Sequence, residues 1–206
     1  MMKTLIVTGG IGSGKSLVCK LLTDRYGIPV YEADARVKSL YSEFPQMLED
    51  IEHALGVSLR NEYGCLVKQR LADVIFSDRN ALHKVEEILF PYLRKDFADW
   101  AGDHGKEVVA FESATVLEKP QFDGFGDIVL LIDAPLKLRI ERACLRDGRS
   151  ESEIMERISA QPLMNRLSEG ESHDRVDYTI VNDSDLEDLN GKLALFIEKY
   201  GLTKML

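Results

Sequence analysis

Apolar residues fall into two textures along the chain. Short unbroken runs, Leu5-Ile6-Val7, Pro29-Val30-Tyr31, Val108-Val109-Ala110-Phe111, Ile128 to Ile132 and Tyr178-Thr179-Ile180-Val181, predict strands. Runs without a polar alternate are what parallel strands buried on both faces show. Between them apolar residues recur at helical spacing: Leu17, Val18, Leu21 and Leu22, then Val37, Leu40 and Tyr41. A further helix starts at about Leu136, Ser150 with Glu153 forms a capping-box pattern for another, and a closing one spans Leu186 to Tyr200. Residues 44–104 carry no strand pattern and read as helical, with turns near Gly56 and from Asn61 to Gly64. Within them Leu71, Val74, Ile75 and Phe76 read as one apolar cluster. The spaced set from Leu82 to Trp100 is one long helix that Pro91 should kink or split.

Strands alternating with helices predict an α/β fold, a parallel five-stranded sheet flanked by helices. The expected organisation is one domain over 1–206. Its core comprises 1–43, 105–135 and 176–206, with a helical insertion at 44–104 and a further helical region at 136–175.

The first strand ends in Thr8-Gly9-Gly10-Ile11-Gly12-Ser13-Gly14-Lys15-Ser16, and Gly9 to Ser16 fit the phosphate-loop pattern G-x-x-x-x-G-K-[ST]. The order of parts is physical. A buried strand aims the turn, glycines let backbone N–H groups approach phosphate, and the following helix adds its positive N-terminal end. Gly10, Ile11, Gly12, Ser13, Gly14, Lys15 and Ser16 are therefore expected to hold ATP. Lys15 reaches the β- and γ-phosphates, and the Ser16 hydroxyl ligates Mg²⁺.

Charge adds a constraint. The net charge is −9, which argues against nucleic acid as a partner, since that needs a basic footprint. No apolar run approaches the ~20 residues that cross a bilayer, so no membrane is expected. Met1-Met2-Lys3 runs straight into the first strand, predicting no signal peptide. Three scattered cysteines, Cys19, Cys65 and Cys144, fit reduced thiols and a cytoplasmic location.

A triphosphate still needs cations. Lys137, Arg139, Arg142, Arg146 and Arg149 face only Glu141 and Asp147 within residues 136–149, a local excess of three positive charges. If helical, the four arginines share a stripe suited to phosphate, a lid closing over the nucleotide. The same run also fits a solvated basic face.

For the acceptor's proton, Glu32 and Asp34 lie just past the second strand, where carboxyl ends of an open sheet face the ligand crevice. Either can act as base or hold the metal's water shell, or both can cap the next helix. Asp123-Gly124-Phe125-Gly126 matches the letters of a GTPase D-x-x-G but precedes a strand, and no N-K-x-D motif occurs. The four histidines show no ligand spacing.

Taken together, these stretches resemble the dephospho-coenzyme A kinase family over nearly the whole chain. The loop from Thr8 to Ser16 is unbroken, and Glu32-Ala33-Asp34 stands where the family has Asp-Ala-Asp. Gly64 through Lys68, Leu71, Ala72 and Phe76 follow the family's next motif, with Lys68 in place of arginine. Arg142, Arg146 and Asp147, then Ser159-Ala160-Gln161 and Val176 to Asn182, complete the likeness. Departures are Leu17 for a second loop hydroxyl, Phe90 for histidine, and Ala114-Thr115-Val116 for Pro-Leu-Leu before Glu118.

The resemblance implies a nucleoside-monophosphate-kinase-like fold and transfer of ATP's γ-phosphate to the ribose 3′-hydroxyl of dephospho-coenzyme A, with Mg²⁺. It implies Lys15, Asp34, Arg142 and Arg146 as catalytic. Arg142, Arg146 and Leu17 are added to the ATP site, and Glu32, Asp34, Lys68 and Glu118 fall on the acceptor. The insertion grips the acceptor and 136–175 forms the lid. Two other readings compete: another small-molecule kinase of this architecture, separated by a panel of acceptors, and a nucleotide-dependent switch, marked by slow turnover that an acceptor leaves unchanged.

Overall fold

The computed structural model describes residues 2–202. Strand β1 (Lys3–Thr8) leads into helix α1 (Lys15–Tyr26), β2 (Val30–Glu32), α2 (Ala33–Glu43), α3 (Pro45–Leu55), α4 (Lys68–Ser77) and α5 (Arg79–His104). There follow β3 (Val108–Glu112), two short 3-10 turns at Val116–Glu118 and Pro120–Phe122, and β4 (Ile128–Asp133). Helices α6 (Leu136–Asp147), α7 (Glu151–Ser159) and α8 (Pro162–Ser168), then β5 (Tyr178–Val181) and α9 (Leu186–Tyr200), complete the order. None of these helices is long and apolar enough to cross a membrane.

The chain divides into two compact units: the residues up to Glu32 with those from Lys106 on, and Ala33–Gly105. The first holds a five-stranded sheet, ordered β2-β3-β1-β4-β5 with every pairing parallel. Central β1 aligns Leu5 with Ala110 on one side and Ile128 on the other. Alternation of side chains across the pleat sorts the core. Leu5, Val7, Leu130 and Ile132 pack with Val18 and Leu22 of α1 and with Leu193 and Phe196 of α9. On the other side Phe111 meets Phe122 and Phe125, ring centroids 5.5 and 4.9 Å away. Burying one such side chain contributes about 1.5–3 kcal/mol, so packing on both faces outweighs any strand propensity of short β2. The D-x-x-G letters serve this packing. Asp123 pairs with Arg175 at 2.8 Å, whose Nη2 also donates to the Phe122 carbonyl, and a Cβ on Gly126 would meet Ile6.

Strand order reverses about β1: β3 and β2 lie to one side of it, β4 and β5 to the other. The carboxyl end of β1 is therefore a switch point, where open parallel sheets take their ligands.

The helical unit comprises α2 to α5, so α2 belongs with the helices and not with the sheet residues 1–43. Arg36 on α2 forks onto Asp96 of α5 at 2.7 and 2.8 Å and also bonds Glu43. The expected turns are present at Gly56, a left-handed cap on α3, and around Asn61, whose Oδ1 accepts from the N–H groups of Tyr63 and Cys65.

Two expectations are narrowed or corrected here. Of the kink or split expected at Pro91, the split does not occur: α5 runs unbroken from Arg79 to His104. Its buried positions Val85, Leu89, Leu93, Phe97 and Ala101 recur every four residues on both sides of the proline and hold the turn that lacks an N–H. Phe76 is not in a cluster with Leu71 but is 87% exposed. Five residues on from Leu71, it lies on the far side of α4, where only Leu71 is buried.

Candidate active site

Gly9 to Ser16 link β1 to α1 at the switch point. Gly14 caps α1 in the left-handed region at φ 101°, and no side chain caps that helix. Its leading N–H groups thus stay available to an anion, on the positive end of the dipole. Lys15 Nζ lies 3.2 Å from Glu112 Oε1 at the end of β3, with both side chains less than 15% exposed.

The loop is braced from behind. Asn182, just past β5, donates from Nδ2 to the Ser13 carbonyl at 2.9 Å and from its backbone N–H to the Asp133 carbonyl at 2.7 Å. Arg142 Nη1 donates to the Asn182 carbonyl at 2.9 Å. Gln161, between α7 and α8, accepts from the Ile11 N–H at 2.9 Å. A Cβ on Gly14 would fall 2.2 Å from the Asn182 side-chain nitrogen, so glycine there is what admits the brace. A cavity of about 320 Å³ opens beside it, lined by Gly14, Leu17, Arg142, Asn182, Leu186 and Leu189 among others.

The basic run does not lie along one stripe. Arg139 is 1% exposed and packs under the loop, and Arg142 turns inward to Asn182. Arg146 forks onto Asp147 at 2.7 and 3.0 Å, and Arg157 joins the same carboxylate at 2.6 Å. These two arginines hold the Asp147 carboxyl well below its usual range. Gly148 caps α6 at φ 64°, so Arg149 falls outside the helix and pairs with Glu153. The spacing argument assumed a helix through residue 149, and the glycine ends it before then. The capping box predicted from Ser150 and Glu153 is present on α7.

Glu32 closes β2 and sits opposite Glu112 of β3 in register. Asp34 is already in the first turn of α2, because the chain passes from strand to helix between Glu32 and Ala33. The two acids therefore do not share a strand face. In the helical unit Lys68 opens α4 and lines a cavity of about 350 Å³ with Lys38, Arg60, Tyr41 and Leu66 among others. Glu118 ends the first 3-10 turn. Burial holds its carboxyl above the usual value, with Lys119 opposing.

Three residues at the loop were given no role from the sequence: Glu112, and Asn182 and Gln161, which entered only as parts of the family likeness. For Glu112 a signal existed, a carboxylate directly following the apolar run at 108–111.

A dephospho-CoA kinase family model matches residues 4–188. A dephospho-CoA kinase of Porphyromonas gingivalis is 38% identical over 181 residues, 88% of this chain and 86% of that protein. One of Salinibacter ruber is 32% identical over 196 residues, covering 94% and 95%. Among solved structures, a Thermus thermophilus protein superposes with TM-score 0.79 at 27% identity, covering 96% and 97%. The dephospho-CoA kinase of Campylobacter jejuni shares the fold, with TM-score 0.64 at 19% identity over 97% and 98% of the two chains.

Proposed function

The chain belongs to the dephospho-CoA kinase family, and on that premise we propose how its residues divide the transfer of ATP's γ-phosphate to the ribose 3′-hydroxyl of dephospho-CoA, the last step of coenzyme A synthesis. The observation that carries this reading is the uncapped head of α1, with Lys15 beside it at the carboxyl end of the central strand. Phosphoryl transfer needs positioning and charge neutralisation more than covalent help. Loop amides between Gly10 and Ser16, apart from the Ile11 N–H that Gln161 holds, cradle the phosphates, and Lys15 exchanges Glu112 for the γ-phosphate. Leu17, with Arg142, borders the nucleotide.

Mg²⁺ accompanies ATP. Among the described residues no cluster of three or more His, Cys, Asp or Glu forms a protein cage. That suits Mg²⁺, which is commonly held by one or two protein oxygens plus phosphates and water. Ser16 supplies a hydroxyl, and Glu32 a carboxylate for the water shell. The ion's contribution is charge neutralisation on the transferring phosphoryl group.

Asp34 takes the proton of the attacking hydroxyl. The helical segment 44–104 receives the acceptor, with Lys68 beside Lys38 and Arg60 offering cations to its phosphates. Glu118 contributes a further polar contact. Residues 136–175 act as the lid, carrying Arg146 onto the polyphosphate once it leaves Asp147. The compartment we propose is the cytoplasm, where Cys19, Cys65 and Cys144 remain thiols.

The test is a panel of acceptors with ATP and Mg²⁺, read by ADP release. Dephospho-CoA is expected to raise turnover far above adenosine, a nucleoside monophosphate or a sugar. A sugar or nucleotide that matches it would reassign the substrate, and turnover unchanged by any acceptor would favour a switch protein.

The lid makes a separate prediction. Arg146 lies on an exposed ion pair, of a kind that contributes little to stability. Arg146→Ala is therefore expected to lower kcat/KM by about 10-fold or more while Tm moves by no more than ~4 °C. A variant that melts early with unaltered kinetics would make the pair structural. Arg142→Ala is expected to lower kcat/KM as well. Through Asn182 it also loosens the Ser13 carbonyl, so its KM for ATP should rise.

A further inference from the structure

Arg139 heads the largest fully buried side chains of the described residues, at 1% exposure. A guanidinium taken out of water is unfavourable unless paired and hydrogen-bonded throughout. This one is anchored only in part. Nε donates to the Ile11 carbonyl at 3.0 Å and Nη1 to Ser168 Oγ at 3.0 Å. Ser168 Oγ donates onward to Asp133 Oδ1 at 2.6 Å, so the Asp133 carboxylate is linked to the guanidinium through a hydroxyl. Nη2 has no hydrogen-bond partner among the described residues.

The loop is moulded onto this residue. A Cβ on Gly10 would lie 2.4 Å from Nη2, and one on Gly12 would lie 2.1 Å from the Arg139 carbonyl oxygen. The carbonyl between those glycines, Ile11, is the one that Nε holds. Glycine at both positions therefore does more than give the loop a turn: it makes room for an arginine behind it. For stability alone, an apolar side chain of similar volume, with Ser168 and Asp133 replaced to match, would serve as well or better.

We propose that Arg139 is a positioning residue for the nucleotide's polyphosphate, setting the shape of Gly10 to Gly12 and placing a positive charge behind the loop. The mechanism follows from the trans peptide. Its C=O and N–H point in opposite directions, so drawing the Ile11 carbonyl toward α6 turns the Gly12 N–H away from α6, the side on which a phosphate is met. The charge acts through protein, which screens its field far less than water would. Burial lowers the guanidinium pKa and Asp133 opposes that shift, but an arginine remains charged at neutral pH. The same hydrogen bond ties the loop to α6, the helix that bears Arg142 and Arg146.

This inference rests on the nucleotide-binding part of the reading above and not on the acceptor's identity. The experiment is calorimetry of the whole protein with ADP and, separately, with dephospho-CoA. Arg139→Gln is expected to weaken ADP binding by about 10-fold or more and to leave dephospho-CoA binding within about 2-fold. Arg139→Lys, which keeps the charge but not the fork, should bind ADP more tightly than Arg139→Gln. Ser168→Ala removes one anchor of the guanidinium without touching the loop, and should weaken ADP binding by about 3-fold. Unchanged ADP affinity in Arg139→Gln overturns the proposal, as do equal losses for both ligands, the mark of a purely structural role. If Arg139→Gln does not fold, parent-like ADP affinity in both Arg139→Lys and Ser168→Ala overturns it. An unmutated protein that binds ADP yet phosphorylates no dephospho-CoA would instead sink the proposed function, and the Arg139 comparison would still be decided by ADP.

Discussion

Lys15→Ala is expected to fold and to lose phosphoryl transfer by on the order of 10³-fold or more, the largest loss of any single substitution in this chain. In the transition state, charge spreads over the γ-phosphate oxygens, and an ammonium at the head of α1 meets it without reorganising solvent. The ion pair with Glu112 sharpens this expectation. It keeps the Lys15 side chain ordered and mostly shielded from water before the nucleotide arrives, so less conformational freedom is lost on binding. It also means that the variant alters the surroundings of a mostly buried carboxylate, and a modest fall in Tm should accompany the kinetic loss. Circular dichroism at the assay temperature separates the two. Turnover within a few-fold of the parent, on folded protein, would end the phosphate-loop assignment.

The second large effect belongs to Asp34. Asp34→Asn is nearly isosteric and is expected to lower kcat by ~10²-fold or more, the range for a lost acid–base group, while dephospho-CoA still binds by calorimetry. Glu32→Gln should lose clearly less. The two acids stand on different elements, Glu32 ending β2 and Asp34 beginning α2, so they need not serve one task. A general base has to be within hydrogen-bond reach of one hydroxyl, whereas a metal's water shell tolerates a longer arm. Reversed losses would make Glu32 the base. Two small losses would reduce both carboxylates to helix-end electrostatics and leave positioning to carry the reaction.

The sheet was legible because its information is local. Unbroken apolar runs, a loop of dense glycine and capping signs such as Ser150 with Glu153 each state their structure within a few residues. What escaped was information held between distant parts of the chain. Arg139 reads as one more cation in a basic run. Its burial depends on glycines more than 120 residues earlier and on Ser168 at the end of α8, the second helix on. Phe76 reads as core because phenylalanine usually is, and only its angle around α4 relative to Leu71 says otherwise. Pro91 reads as a kink or a split because one residue is judged alone, while the buried face of α5 spans both of its sides and keeps the helix in one piece. Glu112 was visible as a carboxylate after a strand. That this strand adjoins β1 is a fact of sheet order, which no local pattern carries.

That sheet order has a consequence for how such a chain can diversify. Ala33–Gly105 leaves the sheet after β2 and returns into β3, and these two strands are immediate neighbours. The whole helical unit is thus one oversized crossover between adjacent strands. The entropy of closing a connection grows only with the logarithm of its length, about 0.6 kcal/mol per doubling. Strand register is set elsewhere, by the pairing of β3 with β1 and β2. A lineage can therefore lengthen, rebuild or exchange this connection with little penalty to the phosphate-handling half. New acceptor chemistry can evolve there while Gly9 to Ser16 stay untouched.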